Sequence, residues 1–140
     1  MTVYVSTSAL QTLAFGKRIA SALKGGEVIA LSGGLGAGKT VLAKGIARGL
    51  GIVDEVVSPS FTLIQQYEGR LSLTHIDLYR LSGAEEFEMI GGEEYLYPEG
   101  VTLIEWAEKL GEMLPKDLKQ ITITIEANQD RTITVEGLTP

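Results

Sequence analysis

The run Gly33-Gly34-Leu35-Gly36-Ala37-Gly38-Lys39-Thr40 has the pattern G-x-x-x-x-G-K-[ST] and directly follows the apolar run Val28-Ile29-Ala30-Leu31. That juxtaposition predicts a buried strand, a glycine turn and a helix in succession. The glycines let successive backbone N–H groups turn inward around an anion, the Lys39 ammonium reaches the β- and γ-phosphates, and the Thr40 hydroxyl can ligate Mg²⁺. The following helix directs its positive end at the same place. Over a chain of 140 residues typical residue frequencies give a chance match of roughly a few per thousand. A glycine-rich turn with a solvated lysine is the plain structural alternative. The dinucleotide spacing G-x-G-x-x-G is not met, and a terminal Lys-Thr pair belongs to phosphate and metal chemistry rather than to pyrophosphate packing.

The length suggests a single domain over residues 1–140 with one sizeable core. No cysteine and one histidine leave no disulfide framework, thiolate site or ordinary zinc site. No signal segment and no apolar run approaching the roughly 20 residues of a membrane span is evident, so a cytoplasmic location and no membrane are expected. The net charge of −6 is concentrated: between Leu81 and Glu108 there are eight glutamates and no lysine or arginine. Such a stretch repels nucleic-acid phosphates and reads as a solvated face or as a docking patch for a basic partner.

Along the chain, Val3-Tyr4-Val5 suggests a short strand, and Ser8 with Gln11 has the spacing of a capping box opening a helix to about Leu23. A strand over 27–32 precedes the cradle. The helix after it, from about Thr40 to Leu50, carries Gly45 and Gly49, which suggests close packing against a sheet, and Gly51 is its expected C-cap. Residues 61–67 and 71–77 read as a hairpin. Ser82 and Glu85 form a second capping-box spacing, before a short helix ending at Gly91-Gly92. Val101-Thr102-Leu103-Ile104 is a strand leading into Glu105-Trp106 and a helix closed by Pro115. Residues 121–125 and 132–135 alternate strictly and form a second hairpin. Together these predict an α/β chain with a mixed sheet and flanking helices.

Phosphoryl transfer to water needs an acid near the metal, a group that positions water and often a γ-phosphate sensor. Asp77, in His75-Ile76-Asp77, and Glu105 both stand at strand ends, as such acids would. Asp77 also suits a turn or cap, Glu105 an exposed strand end, and His75 a structural hydrogen bond. The hydroxyls of Ser58-Pro59-Ser60-Phe61-Thr62 are candidate sensors, although Ser-Pro is equally ordinary turn chemistry. Trp106 is a core or lid aromatic, and Arg80 either stabilises charge or pairs with Glu85 or Glu86. The guanine-reading pattern N-K-x-D is absent, which favours ATP over GTP. Five scattered arginines, Arg18, Arg48, Arg70, Arg80 and Arg131, offer no lid for a second phosphorylated substrate, so a small-molecule kinase is an unsupported alternative.

Four stretches in order resemble the TsaE (formerly YjeE) family of small bacterial ATPases needed for threonylcarbamoyladenosine formation in tRNA. They are Leu35-Gly36-Ala37-Gly38-Lys39-Thr40, Ser58-Pro59-Ser60-Phe61-Thr62-Leu63, His75-Ile76-Asp77-Leu78-Tyr79-Arg80-Leu81 and Leu103-Ile104-Glu105-Trp106-Ala107-Glu108. The resemblance implies a P-loop NTPase-like three-layer fold with a mixed central sheet and two β-hairpins, and a Mg²⁺-dependent ATPase that is weak without partner proteins. It implies that Gly33 to Thr40 hold ATP, that Thr40 and Glu105 hold Mg²⁺, and that Asp77 and Thr62 support hydrolysis or sense the nucleotide, with Trp106 near the site. Two departures are Gly34, where the family usually has Asp, and Ser60 in place of Thr.

The implied partners are TsaD-like and TsaB-like proteins, whose complex transfers the threonylcarbamoyl group and which ATP hydrolysis would reset between rounds. Contact with tRNA would be indirect, through that complex. A nucleotide-gated binding module with incidental hydrolysis is the other class of reading.

Overall fold

Three strands without polar alternation lie side by side at the centre of a seven-stranded sheet, in a computed structural model that describes residues 1–140. They are β2 (Val28–Gly33), β4 (Leu73–Asp77) and β5 (Val101–Glu105). β5 runs parallel to both neighbours, and the sheet order is β1-β7-β6-β2-β5-β4-β3, with β1 (Thr2–Ser6), β3 (Ile64–Tyr67), β6 (Lys119–Ile125) and β7 (Arg131–Glu136). Every residue of β4 and β5 is buried, as strands covered on both faces require. The antiparallel pairs β3–β4 and β6–β7 are the two expected hairpins, and β1 adds antiparallel to β7. The mixed sheet with helical layers on its two faces matches the fold class expected from the sequence.

On one face pack α1 (Ala9–Ser21) and α2 (Lys39–Gly49), burying Ile29, Leu31, Leu73 and Leu103 from the central strands. On the other, α3 (Ala84–Met89) and two 3₁₀ segments, Gly92–Leu96 and Ala107–Met113, cover Val28, Ala30, Ile76 and Ile104. Each such aliphatic side chain contributes roughly 1.5–3 kcal/mol of burial free energy, which anchors the strand ends that carry the site.

Gly45 and Gly49 are explained by a helix and not by the sheet. A Cβ on Gly45 would strike the Leu13 carbonyl oxygen, and one on Gly49 would lie 2.5 Å from Ala20 Cβ, both on α1. Gly16 completes this contact, since its Cβ would fall 2.6 Å from the Leu42 carbonyl oxygen on α2. The turn between β3 and β4 then seals the helix ends: Arg70 donates to the carbonyls of Ala20 and Leu23 at 2.9 and 3.2 Å.

Several local expectations shift. Ser8 accepts from Gln11 N at 3.1 Å, but the Gln11 side chain binds Thr7 and not the Ser8 amide, so the capping box is incomplete. Ser82 is not the cap of α3. Gly83 is, and Ser82 donates instead to Glu86. Residues 61–63 form a turn before β3, with Leu63 at φ 71°. The segment after Trp106 is 3₁₀ and is broken at Gly111, where φ is 50°, because that conformation admits no α-helical continuation.

Candidate nucleotide-binding site

Parallel pairing sets the strand ends level. Glu105 is the register partner of Leu31 on one side and of Asp77 on the other, so both acids stand beside the point where β2 runs into the glycine turn. This is the crevice outside the carboxyl ends of parallel strands, where α/β sheets bind ligands. Gly36 and Gly38 take φ values of 77° and 103°, which only glycine adopts without strain, and Gly38 is the N-cap of α2. A Cβ on Gly34, Gly36 or Gly38 would meet no heavy atom within 4 Å, so these positions border open space.

A cavity of about 800 Å³ brings Gly33 through Val41 together with Ser58, Ser60, Asp77, Tyr79, Arg80, Glu105 and Trp106. Of the residues expected in the site, Thr62 is not among them: it is exposed, and its hydroxyl accepts from Gln65 at 3.0 Å. The neighbouring serines take the place facing the cavity. Asp77 accepts from Ser60 Oγ at 3.1 Å and from the Tyr79 amide at 2.9 Å, and Ser60 is within 2.8 Å of Ser58 Oγ.

Glu105 is 6% exposed. Its Oε1 lies 3.4 Å from Lys39 Nζ, and its Oε2 lies 2.8 Å from Nε2 of the buried His75. Burial pushes this carboxyl up, but the His75 hydrogen bond and charge, and then Lys39, outweigh it and hold Glu105 below its ordinary value. It is an anion poised beside the cradle. The Thr40 hydroxyl and the Glu105 and Asp77 carboxylates are hard oxygen donors, and no group of three or more His, Cys, Asp or Glu side chains converges. One or two carboxylates with phosphate and water completing the shell is how Mg²⁺ is commonly held, so the donor set fits that ion.

The turns after β4 and β5 are tied together. Lys109 Nζ donates to the carbonyls of Tyr79 and Leu81 at 2.7 and 2.8 Å and lies 5.7 Å from the centre of the Trp106 ring. Trp106 itself takes φ 61°, an uncommon conformation for a bulky residue, immediately after Glu105. Arg80 stacks 4.6 Å from the centre of the Phe61 ring and makes no ion pair with Glu85 or Glu86.

Two supporting residues escaped the sequence reading. Lys109 was hidden beside a run of glutamates. Arg131, at the start of β7, donates to the Ala37 and Gly36 carbonyls at 3.0 and 3.2 Å, bracing the outside of the cradle across more than 90 residues of chain. A second cavity of about 330 Å³ adjoins the cradle there, between Ser6–Ala9 and Arg131.

Known proteins resemble this chain along most of its length. The family model for the threonylcarbamoyl adenosine biosynthesis protein TsaE matches residues 6–133. The chain is 45% identical over 131 residues to the tRNA threonylcarbamoyladenosine biosynthesis protein TsaE of Treponema pallidum, covering 94% of this chain and 97% of the relative. It is 45% identical over 125 residues to the TsaE protein of Bacillus subtilis, covering 89% and 78%. The crystal structure of YdiB from Bacillus subtilis superposes with a TM-score of 0.81 at 38% identity, covering 96% of this chain and 83% of that one. The chain therefore belongs to the TsaE family.

Proposed function

We propose that this protein binds and hydrolyses Mg²⁺·ATP as an accessory to tRNA threonylcarbamoyladenosine modification, the process for which its relatives are named. The observation that carries the reading is one cavity in which Lys39 and Thr40 of the cradle face the strand-end acids Asp77 and Glu105. Lys39 and the loop amides bind the phosphates, with the N-terminus of α2 adding its dipole. Thr40 and Glu105 hold Mg²⁺, which when bound draws charge from the phosphate oxygens. Asp77, fixed by Ser60 and the Tyr79 amide, orients water.

Turnover is weak in isolation and rises with TsaD-like and TsaB-like partners, whose complex the hydrolysis resets. Support comes from the rim of the cavity, where Leu35 and Tyr79 are fully or mostly exposed and Trp106 is half-exposed, with Phe61 exposed beside Arg80. Apolar groups of that size around a charged cleft suit coverage by another protein. No helix is long and apolar enough to cross a membrane.

The test is Lys39→Ala in calorimetry with Mg²⁺·ATP and in phosphate release with the partner complex. Loss of binding or turnover in a variant that melts like wild type is expected. Equal rates for the two proteins, freed of contaminating ATPases, would overturn the proposal.

A further inference from the structure

His75 is the sole histidine of the chain and is wholly buried in β4. Its Nε2 lies 2.8 Å from Glu105 Oε2, while its Nδ1 is enclosed without a hydrogen-bond partner. A carboxylate only accepts, so Nε2 carries the donated proton, and Nδ1 is left without any hydrogen bond. Position 75 lies two residues along β4 from Leu73 and is the register partner of Leu103, both members of the apolar core. For packing alone a leucine would serve there without an orphaned nitrogen to desolvate. What imidazole adds is one N–H directed at one oxygen of one carboxylate.

The two oxygens of Glu105 are thereby distinguished. Oε2 is held by His75 at 2.8 Å, and Oε1 faces Lys39 across 3.4 Å. The looser contact is to the residue that incoming phosphates would draw to themselves. We infer that His75 is the positioning residue of the site, clamping Oε2 so that Oε1 is the oxygen presented to the cavity and to Mg²⁺ once Lys39 engages phosphate. This rests on the nucleotide reading above and assigns a role to a residue that touches neither nucleotide nor metal. Hydrogen-bond partners behind a metal ligand typically matter by about 10- to 100-fold in affinity or activity.

Trp106, the one tryptophan, lines the same cavity, so its fluorescence in the full-length chain reports nucleotide and metal arrival. ATP affinity is measured without divalent metal, and the Mg²⁺ requirement is then titrated at fixed ATP. His75→Leu is expected to raise the Mg²⁺ concentration needed by about 10- to 100-fold, much more than it changes metal-free ATP affinity. His75→Gln, whose amide N–H reaches the Nε2 position, should recover most of this, and His75→Asn, whose amide stops short, should not. The Gln–Asn contrast decides the matter even if the leucine variant does not fold. In a Glu105→Gln background, His75→Leu should add little further.

An unchanged Mg²⁺ requirement in the Asn or Leu variant overturns the inference. So does an equal loss with and without metal that Gln fails to recover, which would mean packing alone. Wild type that binds no ATP in either arm refutes the nucleotide reading and this inference with it. Wild-type binding with unaffected variants refutes this inference alone.

Discussion

Lys39 Nζ lies 3.4 Å from Glu105 Oε1, so in the free protein the cradle lysine is already matched to the strand-end acid that faces it. Burial raises the Glu105 carboxyl, and the His75 ring and Lys39 together more than reverse this. A carboxyl depressed on folding binds its proton more readily in the unfolded chain. Its contribution to stability is therefore complete above its ordinary value of 4.5 and is lost as pH falls through the lower, folded value. Glu105→Gln should cost about 1.5–3 kcal/mol in urea unfolding at neutral pH, the range for hydrogen bonds to charged groups. The gap from wild type should close below pH 4.5. A gap independent of pH would refute the depressed carboxyl.

Asp77 and Glu105 are register partners with different surroundings, and this separates their expected phenotypes. Asp77 touches no cation, and its two oxygens are held by Ser60 and the Tyr79 amide. Asp77→Asn keeps an acceptor for that amide, so nucleotide affinity should move by no more than a few-fold. Turnover should fall by about 10²- to 10⁴-fold, the usual range for a positioned proton acceptor. Ser60→Ala, which removes one donor, should fall between this variant and wild type. Calorimetry and phosphate release measured on the same preparations would separate the two effects, and a variant losing affinity as steeply as rate would assign Asp77 to binding.

The contact between α1 and α2 gives a prediction in which two effects oppose each other. Gly45→Ala should gain about 1 kcal/mol of helix propensity. The new methyl, however, meets the Leu13 carbonyl and lies 3.0 Å from Gly16 Cα, both backbone atoms. Overpacking of this kind costs about 1–3 kcal/mol or more. Net destabilisation in chemical unfolding is expected, and a more stable variant would mean that the helices separate freely.

Residues 33–40 and the strand-end acids were legible in the sequence because their chemistry is local: a glycine pattern after an apolar run, a carboxylate after another. The two terminal hairpin strands were equally legible from strict alternation in residues 121–125 and 132–135. What the sequence hid was pairing across distance. Gly45 signalled a close approach, but only the fold identifies α1 as the partner. Arg131 resembled any hairpin arginine until β7 brought it to the carbonyls of Gly36 and Ala37. The serines at 58 and 60 and the threonine at 62 share a hydroxyl and a loop, and only the turn closed by the Leu63 amide on the Pro59 carbonyl at 2.7 Å separates the side facing the cavity from the side facing solvent.

Gly34 stands where the sequence resemblance leads one to expect aspartate, and the structure leaves room for one. No heavy atom lies within 4 Å of the place its Cβ would occupy, and the residue borders the main cavity. Gly34→Asp should therefore leave stability within about 0.5 kcal/mol, as for surface changes that break nothing. Its charge would face the phosphates that the cradle collects. Unit charges of like sign a few ångströms apart near a protein surface repel by at least about 1 kcal/mol, so metal-free ATP should bind about fivefold more weakly or worse. Mg²⁺ neutralises the phosphates and adds a cation that the new carboxylate can approach, so the deficit should shrink to within about twofold when Mg²⁺ saturates. Calorimetric titrations with and without Mg²⁺ measure both arms. A loss of equal size in each would mean that the aspartate obstructs the cradle itself rather than making it more dependent on the metal.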